Sequence, residues 1–395
     1  MSKLTLITLW AMRMWLGAIC LFALVLIWRH VDNQNGWVLG DWMIDYRQGF
    51  VRRGLSGTVA QFLSEFLPGQ ALTFIGGFIT ITWLVIAYFF ARILGAIRMP
   101  VWYAVLLLSP AGLFFSVYGA DQVGRKEILL FASLAVFVWR LINGARDSWA
   151  IHMLWALWGA LLVFMHEGAV FFGAYFVMAA VWVTDRHQGT LRSAAGVMLG
   201  MLLATVLLLV VAEPLNGKAF CASLVSEGRM SVSICDGTIT WPIHSISESL
   251  DNTLLSIGHF SYGSVYGLSL LFAVGPVLFW LFLDRAQRAL NPTQLAILVL
   301  VWVASVPLFL IAVDWGRFIQ THMVLTTLVL ALGMPRRLGA EPVVNWTPLM
   351  RARWRWFALV LTVATYALWN LPVCCQPEVG GGLLPKLRAG MDFFL

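Results

Sequence analysis

Charge is scarce in this sequence. Only 11% of its 395 residues are Asp, Glu, Lys or Arg, while 60% are hydrophobic. Soluble domains carry about 25% charged residues, so a soluble enzyme and a disordered chain are both excluded. Cysteine is scarce too. Five residues with no C-x-x-C pair exclude a disulfide-stapled secreted scaffold. The chain has no H-E-x-x-H motif and no P-loop, so zinc chemistry and nucleotide hydrolysis have no sequence support. No Gly/Ser linker, low-complexity tract or internal repeat divides it.

What is present is a succession of apolar runs. At ~20 residues per span they read as an all-α, polytopic membrane protein with about 11 transmembrane helices. The expected spans are 7–28, 71–96, 101–119, 127–143, 150–165, 168–183, 194–212, 262–283, 294–313, 318–334 and 356–372. One integral membrane domain over 1–395 is expected, with no large soluble domain. The first run, Ile7 to Trp28, is too long for a signal-peptide core and is expected to be retained. Twenty Trp residues fit interfacial belts.

The net charge of +7 reads as basic cytoplasmic loops, not as nucleic-acid binding. With the N-terminus inside, the inner loops hold Arg98, then Arg140 and Arg146, then Arg186 and Arg192. Arg285 and Arg288 follow, then Arg336, Arg337, Arg351, Arg353 and Arg355. This alternation needs the stretch 150–183 to be two short helices meeting at His166-Glu167-Gly168. A single helix of 34 residues would run about 51 Å, too long for a ~30 Å core. The C-terminal tail, from about Val373, is then expected outside.

The remaining polar clusters all fall on the opposite, extracytoplasmic face. The first outer loop, 29–70, contains Asp41, Asp45, Tyr46, Arg47, Arg52 and Arg53 within 13 residues. Guanidinium forks match phosphate oxygens bidentately, and a carboxylate beside them can take a proton from a sugar hydroxyl. Of the two acids Asp45 is favoured as the base, because Asp41 follows Gly40 and reads as a turn or cap residue. Leu55, Val59, Phe62, Leu63 and Phe66 then recur at helical spacing, as in an amphipathic helix lying in the membrane interface.

Asp121 to Glu127 opens the fourth expected span, with Asp121 as its N-cap. Gly124 would admit a ligand to the backbone, and Arg125 and Lys126 would meet an anion there. His166 and Glu167 are near-membrane ionisable groups, costly and therefore functional candidates. Adjacent residues do not share a helix face, so metal chelation by this pair is not expected. Asp314 and Arg317 end the ninth expected span, and His322 follows. Plainer readings stand beside these: acids and arginines pairing within the first loop, an interfacial snorkelling pair at Arg125 and Lys126, a buried mutual hydrogen bond of His166 and Glu167, and an Asp314–Arg317 pair. Cys221 and Cys235 share the long outer loop, 213–258, with His244 and Glu248, and can form a disulfide in an oxidising compartment. Adjacent Cys374 and Cys375 would be strained if bridged to each other.

These residues resemble a known group. An acid- and Arg-bearing first outer loop after the first span, further outer polar clusters and one long outer loop are similar to bacterial polysaccharide polymerases of the Wzy and EpsG type. More broadly they resemble polytopic GT-C glycosyltransferases. The resemblance implies a catalytic Asp in the first outer loop, at Asp41 or Asp45. It also implies outer-loop arginines on the substrate, at Arg47, Arg52, Arg53 and Arg317. The function it implies is glycosyl transfer at the periplasmic face of the bacterial inner membrane, polymerising or extending an undecaprenyl-linked oligosaccharide such as an O-antigen or exopolysaccharide unit. The expected roles are Asp45, Asp41, His166 or Glu167 in catalysis. Tyr46, Arg47, Arg52, Arg53, Asp121, Arg125, Lys126, Asp314, Arg317 and His322 are expected on the substrate. No metal or cofactor is required if arginine neutralises the leaving group. Partners would be the lipid-linked glycan, membrane lipid and other polysaccharide assembly proteins, with no nucleic acid. Two alternatives stay open. One is a GT-C transferase adding a single sugar, and the other is a non-enzymatic flippase or transporter.

Overall fold

The computed structural model describes residues 3–67, 70–97, 101–144, 148–183, 189–227, 230–235, 237–239, 246–259, 261–283, 292–333 and 353–373. Arg98, Arg146, Arg186, His244, Arg285, Arg288, Arg336, Arg337, Arg351, Cys374 and Cys375 lie outside these residues, as does the expected outer tail beyond Val373.

Helices dominate the described residues, and the recorded β-pairing is a single bridge between Val51 and Glu213. In chain order the helices begin with α1 (Lys3–Asp32), α2 (Gly36–Leu39), α3 (Gly54–Phe66) and α4 (Ala71–Ala96). Then come α5 (Val101–Leu107), α6 (Phe115–Tyr118), α7 (Ile128–Ile142), α8 (Trp149–Met165) and α9 (Ala174–Trp182). They continue with α10 (Thr190–Val211), α11 (Gly217–Ser226), α12 (Ile246–His259) and α13 (Tyr262–Leu283). The last are α14 (Pro292–Ala304), α15 (Val306–Ile311), α16 (Trp315–Leu330) and α17 (Arg353–Leu368).

Five segments are long and apolar enough to cross a membrane: Ile7–Asp32, Ala71–Ala96, Thr190–Val211, Tyr262–Trp280 and Gln294–Ile311. The protein is therefore an all-α, multi-pass membrane protein. Other expected spans fall on shorter helices, among them α7, α8 and α17. The stretch 150–183 does divide: α8 stops at Met165, and a 3-10 turn over Glu167–Phe172 precedes α9. The expected span 101–119 is corrected. Helix is lost between Leu107 and Phe115, where Pro110 lacks an amide hydrogen and Gly112 adds backbone freedom. The span expected at 294–313 breaks at Ser305, ahead of Pro307.

The chain groups into two compact units, one made of 20–89 and 120–247, the other of 1–19, 90–119 and 248–395. In the first, α10 lies along α8. The Gly200 backbone meets α8 so closely that a Cβ there would overlap the Ala156 carbonyl. Small residues let helix backbones approach where lipid supplies no hydrophobic drive. The far side of α10 shows Leu203, Leu209 and Val210, an apolar surface suited to lipid. In the second unit α5 carries Tyr103, whose hydroxyl donates to the Thr327 carbonyl of α16 at 2.9 Å.

Candidate functional site

The first loop is built by local caps. Asn35 Oδ1 accepts from the amides of Trp37 and Val38 and starts α2. Asp45 caps the next turn, accepting from the Arg47 amide at 3.0 Å. The chain then enters α3 through Arg53, a non-glycine residue at φ 65. Such a left-handed residue costs roughly 1–2 kcal/mol and marks a position held by its surroundings. Gly57 lets α3 lie directly on the loop, since a Cβ there would overlap the carbonyls of Met43 and Ile44. The buried side of α3 is therefore Gly54, Gly57, Ala60 and Gln61. Its apolar side chains Val59, Phe62 and Phe66 are exposed.

This loop, the 121–127 segment and the 166–167 corner meet in one charged network within the first unit. Arg53 grips Glu167 side-on, with Nε 2.8 Å from Oε2 and 3.0 Å from Oε1, and Nη2 2.8 Å from Oε1. Arg53 Nη1 also lies 3.6 Å from Asp41 Oδ2. Lys126 Nζ donates to the Asp41 carbonyl at 2.8 Å and to Ser56 Oγ at 3.1 Å. It sits 5.2 Å from the centre of the Trp42 ring, and that indole donates to the Gly124 carbonyl at 2.6 Å. His166 Nε2 is 3.1 Å from Glu127 Oε1. Asp41, Lys126, Glu127 and His166 are all buried. The Asp41 amide donates to Thr238 Oγ1 at 2.9 Å, which ties the long loop to the same place.

Burial and charge pull the titrations apart. Burial pushes the Lys126 ammonium down to about 8, with Arg53 adding to the shift against Asp41, Glu167 and Glu127. Burial would lift the Glu167 carboxyl, yet the Arg53 guanidinium holds it well below the carboxylate range, helped by His166 and Arg52. Burial likewise opposes the charge on Arg53. Glu167, Asp41 and Glu127 outweigh it and raise that guanidinium above its ordinary value.

The cap expected at Asp41 falls on the other first-loop acid. Asp45, not Asp41, is the capping residue. It also pairs with Arg47, Nε to Oδ2 at 2.8 Å, and Arg47 Nη1 reaches Glu227 Oε2 at 2.8 Å. Asp41 instead enters the charged network and keeps one buried oxygen, Oδ1, without a hydrogen-bond partner. Asp121 is not the N-cap of α7. It lies exposed in a turn with Asn35 Nδ2 3.4 Å from its Oδ1, and α7 begins only after Glu127. Gly124 does not open the backbone to a ligand, because a Cβ there would already crowd Val38 Cγ1 at 2.5 Å.

Tyr46 stacks on Phe50 with ring centres 5.3 Å apart. Arg52 is partly buried and Arg125 buried. Cys221 and Cys235 are bonded, their Cα atoms 5.7 Å apart. Asp314, Arg317 and His322 belong to the second unit. There Arg317 Nη2 pairs with Asp314 Oδ2 at 2.8 Å. His322 is buried, bonded to Ser305 Oγ at 2.6 Å and stacked on Trp302. Glu127 was missed as a site residue, although an acid at the head of an apolar run is a signal. Thr238 carried no signal at all. Among the described residues no cluster of three or more metal-ligating side chains occurs.

A family profile described as uncharacterised membrane protein Rv1490 matches residues 7–230. The match takes in Asp41, Arg53, Lys126, Glu127, His166 and Glu167 and stops short of Thr238 and of Asp314 to His322. No curated protein and no solved structure matches the chain. With more than half of its length inside that profile, the chain belongs to the Rv1490 family of uncharacterised membrane proteins.

Proposed function

We propose that this protein is a glycosyltransferase working at the extracytoplasmic face of a bacterial inner membrane, with a polyprenyl-phosphate or polyprenyl-diphosphate sugar as donor. The observation that carries the reading is the position of Asp41. It is a buried carboxylate with one unpartnered oxygen, flanked by Arg53 and Lys126, on a loop between two membrane-crossing helices. A proton acceptor held in place by fixed cations is what removal of a hydroxyl proton requires. Asp41 takes the role of base, and Asp45 that of a structural cap. The exposed Val59, Phe62 and Phe66 of α3 suit a helix lying in the headgroup layer beside a lipid-borne substrate.

In this reading about 11 helical segments cross or enter the bilayer, with the N-terminus cytoplasmic and the C-terminus periplasmic. The first loop, the 121–127 segment and the 166–167 corner then share the outer face. The acceptor is a growing glycan, so the product is a polymer or an extended chain. The transporter reading keeps one specific support, the break between α5 and α6, since interrupted helices line the binding sites of many transporters.

The test is the glycan profile of a gene-deletion strain. Loss of long chains, with single lipid-linked units accumulating outside, is the expected result. Loss of one branch sugar indicates a single-sugar transferase. Accumulation of precursor on the cytoplasmic leaflet indicates a transporter, and an unchanged profile overturns the proposal.

A further inference from the structure

Once the partners in the network are assigned, two deeply buried atoms within it stand out. Asp41 Oδ1 and His166 Nδ1 have no hydrogen-bond partner, and their residues are 4% and 7% exposed. A buried polar atom left unsatisfied costs roughly 1–3 kcal/mol, so each calls for a partner. Their chemical type decides which partner fits. An ionised carboxylate only accepts hydrogen bonds. That holds for Asp41 and also for Glu127. Because Glu127 Oε1 faces His166 Nε2 at 3.1 Å, the ring hydrogen is placed on Nε2. In the neutral imidazole Nδ1 is then a bare acceptor.

Both residues lie beside the same ion pair. Asp41 Oδ2 lies 3.6 Å from Arg53 Nη1, and His166 directly precedes Glu167, whose carboxylate takes three contacts from Arg53. Lys126 is directed at the Asp41 carbonyl and at Ser56. The two atoms therefore ask for hydrogen-bond donors from a ligand. A phosphate brings acceptor oxygens, which would be set against them.

We propose that Asp41 and His166 form a subsite for glycan hydroxyls, each accepting one O–H of the acceptor sugar, and that Glu127 is the positioning residue that fixes the His166 tautomer. The inference rests on the glycosyl-transfer reading and deepens it. This corner holds the nucleophilic sugar, and the donor phosphate is met elsewhere. Arg53 acts as a structural tie to Glu167 and not as a phosphate clamp.

The experiment uses the full chain in lipid nanodiscs, labelled with ¹⁵N-histidine, with the His166 signals identified by their loss in His166→Gln. The expected spectrum shows hydrogen on Nε2 and a bare Nδ1, and Glu127→Leu scrambles this tautomer. Methyl glycosides with vicinal hydroxyls are the first probe, and they should move the bare Nδ1 signal upfield. Dideoxy analogues lacking those hydroxyls should not. Inorganic pyrophosphate is the second probe and should leave the signal unchanged. Asp41→Asn should weaken the glycoside response about 10-fold, the ratio for ~1.4 kcal/mol. Hydrogen found on Nδ1, silence to every glycoside, or a response to pyrophosphate alone overturns the proposal. A glycoside-responsive His166 beside an unchanged deletion-strain profile removes the transfer reading and leaves the hydroxyl subsite standing. The opposite pair of results does the reverse.

Discussion

Removing the Arg53–Glu167 pair measures how far the charged network holds the first unit together. The three contacts are charge-assisted, at 2.8, 3.0 and 2.8 Å. With charge centres ~4 Å apart and an effective dielectric of ~20, the attraction is about 4 kcal/mol. The side chains keep 22% and 26% of their exposure, so solvent screening removes about half of this. A coupling energy of about 2 kcal/mol remains. The single-mutant costs are softened by Asp41, which stays 3.6 Å from Arg53 Nη1 when Glu167 is gone. The informative quantity is therefore the double-mutant cycle of Arg53→Met, Glu167→Leu and their combination. Met keeps the left-handed backbone burden of Arg53 unchanged across the cycle. Unfolding by SDS in mixed micelles, followed by tryptophan fluorescence, supplies the four free energies. A coupling below ~0.5 kcal/mol, the size of an ordinary surface pair, would refute the reasoning.

Three further outcomes are expected. Activity should fall as pH rises through about 8, because Lys126 loses its proton there. Its folded value lies below the unfolded one, so the cost of burying the charge is relieved over the same rise and stability should not fall with it. Lys126→Arg should abolish this alkaline limb in a transfer assay. Asp41→Asn should cut turnover by roughly 10²-fold, the scale of general base catalysis. Asp45→Ala should instead lower stability by about 1 kcal/mol through its lost cap, and equal losses of activity from the two would contradict the division of roles. Cys221 and Cys235 should appear as one bridged peptide in non-reduced mass spectra. Replacing both by Ser should cost roughly 3 kcal/mol for a loop of this length, and free thiols in protein made under oxidising conditions would remove that claim.

Much of the helical framework was legible because lipid exposure leaves a plain apolar signature. The stretch 71–96 coincides with α4, and the division at His166 followed from length together with the alternation of basic loops. The loss of helix after Leu107 was less visible, since Ser109, Pro110 and Gly112 sit in a run that stays apolar throughout. Within the site, Asp41, Arg53, Lys126, His166 and Glu167 were each singled out as unusual charges. Their pairing was not legible. Arg53 and Glu167 are separated by 114 positions, and nothing in local spacing joins them. The place of the cap depends on which carboxylate finds an amide two residues on. Asp45 finds the Arg47 amide, and Asp41 lies in a 3-10 turn facing the network.

The separation of Arg53 from its carboxylate has a consequence for how the protein is made. At ~5–20 residues per second, synthesis reaches Glu167, 114 positions on, about 6–23 s after Arg53. During that interval Asp41 and Asp45 of its own loop are among the acids already made. The helices α7 and α8 must both be placed before the carboxylate can arrive. The ion pair therefore depends on the order in which the chain is laid down. A chain in which either helix stalls keeps a guanidinium without the carboxylate that holds it in the finished fold.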